Sequence, residues 1–380
     1  MAESRKRKLK NANMKPGDFM LVILTLVLVI FGVIMVFSAS YYYSINEYGD
    51  QYHYLKRDIV WAASGLVIML FLATVDYKVY EKFAKPIAIA SIVFLVLIFT
   101  PLGVTRNNAT RWIGVGAGGF SITFMPGEFA KIAAIIFVAW FLSRDTNRIR
   151  SFKDGVMPLV GLALLYAALI IRQPNLSTAL TVCGIIVGMM FVAGLQWRYI
   201  IGIIGAGVAG VLGLVFMAPE SEWMKRITSF LDPFADKLGD GYQVVQGLLA
   251  LGTGGLFGTG LGRSIQKNLY LPEPQNDFIL SIIGEELGYI GVIALMIVYL
   301  LLIWRGIHIS VNASDTFGSL LAAGITIMIA LQVIMNIAVV TSSMPPTGVT
   351  LPFISYGGNA LWLFMGSAGI LLNISRHAPR

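Results

Sequence analysis

The chain has 380 residues, 57% hydrophobic and 13% charged, with a net charge of +8 and a mean hydropathy of +0.76. Soluble domains carry about 25% charged residues, so a water-soluble globular fold is excluded. The basic charge is not a nucleic-acid footprint either: it sits in the opening run "RKRKLKNANMK" and in short loops such as "SRDTNRIRSFKDG". One cysteine, Cys183, rules out an intrachain disulfide, and His53, His308 and His377 are too scattered to make a metal-ligand set.

Ten apolar segments follow in order, over residues 18–39, 58–76, 82–100, 127–143, 156–172, 176–195, 199–217, 278–304, 316–341 and 358–375. Each is about long enough for a ~30 Å hydrocarbon core. The first follows a basic tail, residues 1–17. It is too long for a signal-peptide core and lacks a small-residue cleavage site, which predicts an uncleaved span. No strand-like alternation competes with these segments. Lys78, Lys82, Arg144, Arg148, Arg150, Lys153, Arg198, Arg305, Arg376 and Arg380 fall on the side of the tail. The opposite short loops carry only Lys56, Arg57, Arg106, Arg111 and Arg172. That asymmetry predicts cytoplasmic termini. The expected fold is an all-α polytopic membrane protein, a bundle of ten transmembrane helices forming one membrane domain over residues 18–375. It has a large extracellular loop, 218–277, and a short cytoplasmic C-terminus, 376–380.

Polar, irregular sequence therefore collects on one face. The loop after span three contains "RWIGVGAGGF", and "SSMPPTGVTLPFISYGGN" precedes the last span. The long loop mixes Trp, Phe and Leu with Lys225, Arg226 and Lys237. That pattern suits an amphipathic segment at the interface, with or without a lipid substrate. Its glycine run, "GTGGLFGTGLGRSIQK", follows no strand and lacks dinucleotide spacing, so it reads as flexible backbone. Arg263 and Lys267 after it are candidate anion contacts.

Three acids mark the next span. Asp277 reads as a helix cap or as a carboxylate at the water–lipid boundary able to accept a hydroxyl proton; the residues alone leave both open. Glu285 and Glu286 lie about 12 Å further along a helix, where charge is costly and is paired or functional. "PGEFAK" places Glu128 and Lys131 on one helix face, and Arg172 ends span five. An ion-pair network locking spans four, five and eight is the structural reading of Glu285, Glu286 and Arg172. Lys131 has the further option of holding a phosphate.

The motifs "RWIGVGAGGFSITFMPGEFAK", "QPNLSTAL", "GYQVVQGLLALGTGGLFGTGLGRSIQKNLYLPEPQNDFILSIIGEELGYIG" and "MPPTGVTLPFISYGGN" resemble, in order and over nearly the whole chain, the SEDS family (shape, elongation, division and sporulation). "GLGRSIQKNLYLPE" is similar to its FtsW- and SpoVE-like branch. The resemblance implies a peptidoglycan glycosyltransferase that polymerises lipid II outside the bacterial cytoplasmic membrane. It implies Asp277 as the essential acid, Arg111 and Trp112 as the family's Arg-Trp pair, and Glu128 and Lys131 as its Pro-x-Glu-Phe-Ala-Lys element; for such a reaction Arg226, Arg263, Lys267 and Glu273 are, with these, the candidate substrate contacts. Mg²⁺ or another divalent cation is the expected cofactor, with no organic one. A class B penicillin-binding protein is the expected partner, with lipid II, undecaprenyl-diphosphate-linked glycan and membrane lipids. Asn175 stands where the family usually has an aspartate, Asn276 where threonine is frequent, and Asn359 where a serine is common. The rival readings are a lipid II flippase and a non-catalytic division scaffold.

Overall fold

The computed structural model describes residues 17–106, 109–115, 122–217, 222–235, 239 and 241–378. The basic tail before Gly17, Lys237 and Arg380 lie outside the described residues. In chain order the helices are α1 (Phe19–Tyr48), α2 (His53–Leu72), α3 (Lys78–Lys82) and α4 (Ala84–Leu97). After three strands come α5 (Pro126–Ser143), α6 (Met157–Ile171), α7 (Leu176–Val192), α8 (Trp197–Met217), α9 (Glu222–Leu231), α10 (Tyr242–Gly254), α11 (Ile279–Val311), α12 (Thr316–Val340) and α13 (Gly358–Arg376). Every apolar segment expected from the sequence is helical. Among the described residues six helices are long and apolar enough to cross a membrane, and three shorter ones are apolar. The protein is thus a multi-pass, mainly helical membrane protein.

Local chemistry sets the helix ends. Asp18 accepts from the Leu21 N–H at 3.0 Å to open α1, and Gly49, left-handed at φ 66°, closes it. Asp315 caps α12 by accepting from the Gly318 N–H at 2.8 Å. Proline at the first turn starts α5, where its missing N–H costs nothing. The core runs along α12, whose Leu321, Ala322, Ile325 and Met328 are fully buried and which packs against α5, α7 and α11.

The structure departs from the sequence-based picture in four places. Helix α1 continues past Ala39 to Tyr48, because Tyr41, Tyr43 and Tyr48 find partners around Gln51–Tyr54. The loop before α5 holds a three-stranded antiparallel meander: β1 (Gly103–Arg106), β2 (Ala109–Val115) and β3 (Ile122–Phe124). Its register pairs Val104 with Trp112 and Ile113 with Phe124. These strands are too short to show clear alternation. The third departure is in the loop 218–277. Its stretch with Lys225 and Arg226 forms the amphipathic segment the sequence suits, as α9, but a second helix, α10, also forms and packs along the start of α11.

The fourth is a break inside α11. Gly288 adopts φ 68°, ψ −171°, a conformation that only glycine enters without strain. The break frees backbone groups in an apolar setting, and segment 255–260 takes them up. Tyr289 N–H donates to Gly255 O (2.9 Å) and Ile290 N–H to Leu256 O (3.2 Å). In return Thr259 N–H donates to Glu285 O (2.9 Å) and Gly260 N–H to Glu286 O (3.0 Å). Gly258 passes so close that a Cβ there would stand 2.2 Å from Glu286 O.

Two polar ties between α1 and α11 gauge the membrane. Arg305 is paired with Asp18, and Ser38 Oγ donates to Glu286 at 2.7 Å. Along both helices the ties are separated by roughly 30 Å of helical rise, the thickness of a hydrocarbon core. The Asp18 N–H also donates to Ser375 Oγ at 3.0 Å, so the described chain begins and ends on one face, here the terminal face. The opposite one is the loop face.

At its edge Lys267 Nζ lies 2.8 Å from Glu286 and 3.0 Å from Ser38 Oγ. Glu285 accepts from the hydroxyl of Ser264 and from the Ile265 N–H (2.8 Å). Lys267, Glu285 and Glu286 are all buried. Removing one partner of such a pair leaves the other charge uncompensated. Lys267→Met should therefore lower stability by about 3–5 kcal/mol, read as a depressed Tm in detergent. Adding Glu286→Gln should recover most of that loss. A double variant as unstable as the single one would contradict the pairing.

Candidate active site

Asp277 stands on the loop face, just before α11. It does not cap that helix. The N-cap position belongs to Phe278, which makes no side-chain cap bond, so the capping reading of Asp277 is corrected. Its main chain is held instead: its carbonyl accepts from Asn336 Nδ2 of α12 at 2.8 Å. Two residues earlier, Gln275 O accepts from the Tyr356 N–H at 2.9 Å. The side chain is half-buried. Burial pushes its carboxyl up to about 6; its own N–H and Arg226 pull down, and Glu273 pushes up.

One guanidinium, Arg226, lies within electrostatic reach of it, and a second, Arg111, within reach of Arg226. Arg226, on α9, donates to Pro346 O at 3.1 Å. Arg111, on β2, donates to Pro174 O. Burial holds Arg111 below the usual arginine range, and the positive charge of Arg226 adds to the effect. Arg226 therefore acts on both Arg111 and Asp277. Two guanidiniums in electrostatic contact repel each other, and an anion placed between them would relieve that repulsion. Trp112 neighbours Arg111 on β2, paired across the sheet with Val104.

Glu273 sits in the same loop at φ 44° and accepts from Asn276 Nδ2 at 2.7 Å. Among the described residues no group of three His, Cys, Asp or Glu side chains could hold a metal ion. A divalent cation here would take most of its oxygen ligands from a substrate's phosphates and from water rather than from protein side chains.

The remaining candidates are distributed differently from expectation. Glu128 and Lys131 form a buried i,i+3 pair at 2.8 Å in the first turns of α5, whose Gly127 faces Thr178 and Asn175 at the start of α7. Lys267 is not an open anion contact: it is buried against Glu286, because that charge at the membrane edge needs a counter-ion. Arg172 joins no network with Glu285 and Glu286; it is exposed and lies over the Phe99 ring at 5.9 Å. The network of Glu285 and Glu286 ties α11 to α1 and to the 264–267 loop, rather than spans four, five and eight to each other. Arg263 is exposed on that loop. Asn175 proves to be the N-cap of α7, accepting from the Thr178 N–H at 3.2 Å. A neutral amide does that work, so no charge is needed at 175. Asn359 Nδ2 donates to Thr123 O at 3.3 Å, joining α13 to β3.

Sequence reasoning missed Asn336, Ser38 and Ser264. An amide or hydroxyl inside an otherwise apolar span was the available signal, since polar groups there need partners.

Comparison with known proteins places this geometry. The family model described as FTSW_RODA_SPOVE, cell cycle protein, matches residues 18–380. "Stage V sporulation protein E" of Bacillus subtilis (strain 168) is 44% identical over 362 residues, covering 95% of this chain and 97% of the relative. "Probable peptidoglycan glycosyltransferase FtsW" of Geobacter sp. (strain M18) is 40% identical, over 94% of this chain and 96% of that protein. Among solved structures, a chain from "Structural coordination of polymerization and crosslinking by a peptidoglycan synthase complex" superposes with a TM-score of 0.78 at 26% identity, covering 95% of this chain and 98% of that one. With a match running from Asp18 to the last residue and relatives similar along almost their entire lengths, the chain belongs to the FtsW/RodA/SpoVE family of cell cycle proteins.

Proposed function

We propose that this protein is a peptidoglycan glycosyltransferase that polymerises lipid II into β-1,4 glycan strands at the outer face of the cytoplasmic membrane, in division or sporulation. The observation that carries the reading is a half-buried carboxylate at the edge of the apolar zone that feels the Arg226 guanidinium, which in turn acts on Arg111, in a chain whose relatives include proteins named as peptidoglycan glycosyltransferases.

The donor is a glycan whose sugar C1 is bonded to undecaprenyl diphosphate; the acceptor is the 4-hydroxyl of the GlcNAc of lipid II. Asp277, as general base, takes the hydroxyl proton while the oxygen attacks C1 from the face opposite the diphosphate, turning an α bond into a β one. Such assistance is worth roughly 10²–10⁴ in rate. The C1–O bond breaks toward the diphosphate, and Arg111 and Arg226 meet the charge that grows there. Arg263, Trp112 and Glu273 are the further substrate contacts of this reading, and Glu128 and Lys131 support them as a neutralised pair. A divalent cation on the diphosphate would supply additional charge neutralisation.

All ten apolar helical segments cross the membrane in this proposal, with the terminal face in the cytoplasm. The excess of Lys and Arg on that face supports the orientation, and the ~30 Å spacing of the two α1–α11 ties supports the depth. A class B penicillin-binding protein is the proposed partner, a reading supported by the solved neighbour from a peptidoglycan synthase complex. The flippase alternative would need charge near the midplane; here Asp277, Arg111 and Arg226 all gather on one face.

Asp277→Asn should leave the detergent-purified protein folded and cut glycan synthesis from lipid II at least 100-fold, on the scale of a lost general base. Polymer at the wild-type rate would end the proposal. The base must be ionised, and its carboxyl is raised to about 6. The kcat/KM profile should therefore fall as pH drops through about 6, not through the ordinary carboxylate range. Arg226 favours the charged form of Asp277, so Arg226→Gln should move that acid limb to higher pH and raise the KM for lipid II. A limb that stays in place would dissociate the two residues.

A further inference from the structure

We infer that Asn336 is a positioning residue for the reaction, a buried amide clamp that fixes the Asp277 main chain relative to the wall its carboxylate rests on. The inference builds on the assignment of Asp277 as the base. Asn336 lies within α12 and is 0% exposed. Its Nδ2 donates to Asp277 O at 2.8 Å and to Val349 O at 2.7 Å. Carbonyl oxygens only accept, so chemistry fixes the orientation of the amide: both its hydrogens are committed. Its Oδ1 is buried with no hydrogen-bond partner. An apolar side chain of the same shape would avoid that burden, so packing alone does not account for an asparagine here.

The two acceptors belong to the two segments that frame the carboxylate. Val349 follows Gly348, which is left-handed at φ 71° and faces the carboxylate: a Cβ at Gly348 would lie 3.8 Å from Asp277 Oδ2. Holding Val349 O therefore holds the Gly348 wall, and holding Asp277 O holds the acid. One rigid helix, through one planar group, sets the distance between them. The Tyr356 N–H, on Gln275 O at 2.9 Å, fastens the same loop from the other side. Loops alone place a catalytic group poorly, and an error of about 1 Å is worth roughly 100-fold in rate.

The test uses the full-length protein in detergent, polymerising lipid II, with Asp277→Asn run alongside. Asn336→Leu keeps the shape and removes both donors. The expected result is a folded protein with kcat lower by roughly 10- to 100-fold and a lipid II KM within about twofold of wild type. The acid limb should also move below its wild-type position. Released from the clamp, the carboxyl becomes better solvated, while Glu273 and Arg226 remain as its charged neighbours. A folded Asn336→Leu with wild-type kcat, with its loss confined to KM, or with an unmoved acid limb overturns the inference. If Asn336→Leu does not fold, Asn336→Gln decides: it retains the donors but displaces them by a methylene. It should show the same lowered kcat and moved limb, and wild-type values for either overturn the clamp. Activity in Asp277→Asn is a separate failure, that of the base assignment, whatever Asn336 variants do.

Discussion

The break of α11 at Gly288 is the constraint on which the rest of the loop face depends. An interrupted helix in apolar surroundings must find new partners for its backbone groups. The 255–260 segment supplies them, donor for acceptor, and is thereby held against the helix. The chain then climbs past Ser264 and Lys267, where the buried carboxylates of Glu285 and Glu286 bind it, and reaches Asp277 directly above. The position of the candidate base thus follows from a glycine and two glutamates well below it. This explains why acids buried in structural pairs stand so near the candidate base. Their charge is consumed in structure.

The ions at the loop face divide into two kinds. Lys267 with Glu286 and Lys131 with Glu128 are buried and mutually neutralised. Such pairs contribute little net stability, since desolvation offsets attraction, but breaking them is costly. They fix geometry. Arg111 differs: it donates to a backbone carbonyl, that of Pro174. A carbonyl orients a guanidinium without cancelling its charge. That leaves the positive potential of Arg111 available for an anion, and its lowered affinity for its proton reflects its burial first and the charge of Arg226 second.

Much of this was legible in the sequence, because bilayer thickness turns a run of apolar residues into a helix with few alternatives. The ten segments, the collection of polar loops on one face and the pairing of Glu128 with Lys131 at i,i+3 all rest on local spacing. Contacts between distant segments were not legible. Lys267 looked like an anion contact because nothing local revealed that Glu286 and Ser38 would enclose it. Arg172 looked like a partner for buried acids, yet it comes to lie on Phe99. The meander over 103–124 escaped notice because strands of three to seven residues barely sample a two-residue period. Asp277 resembled a cap because Phe278, an unusual N-cap, begins the helix.

The combination at Asp277 also has a chemical logic. A general base works best when its conjugate acid titrates near the ambient pH, and an exposed aspartate is too acidic for that. Burial alone would raise it without limit and would leave it protonated. Here burial is opposed by its own N–H and by Arg226, and the result falls between the two extremes. In the proposed reaction the same guanidinium that restrains the base also meets the leaving-group charge. As that charge grows, it draws on the field of Arg226, and the carboxyl loses part of what favoured its ionised form. Its affinity for the proton rises at the moment the acceptor hydroxyl gives one up. A base and a phosphate contact sharing one arginine are in this way coupled through the reaction coordinate, which two independent residues would not be.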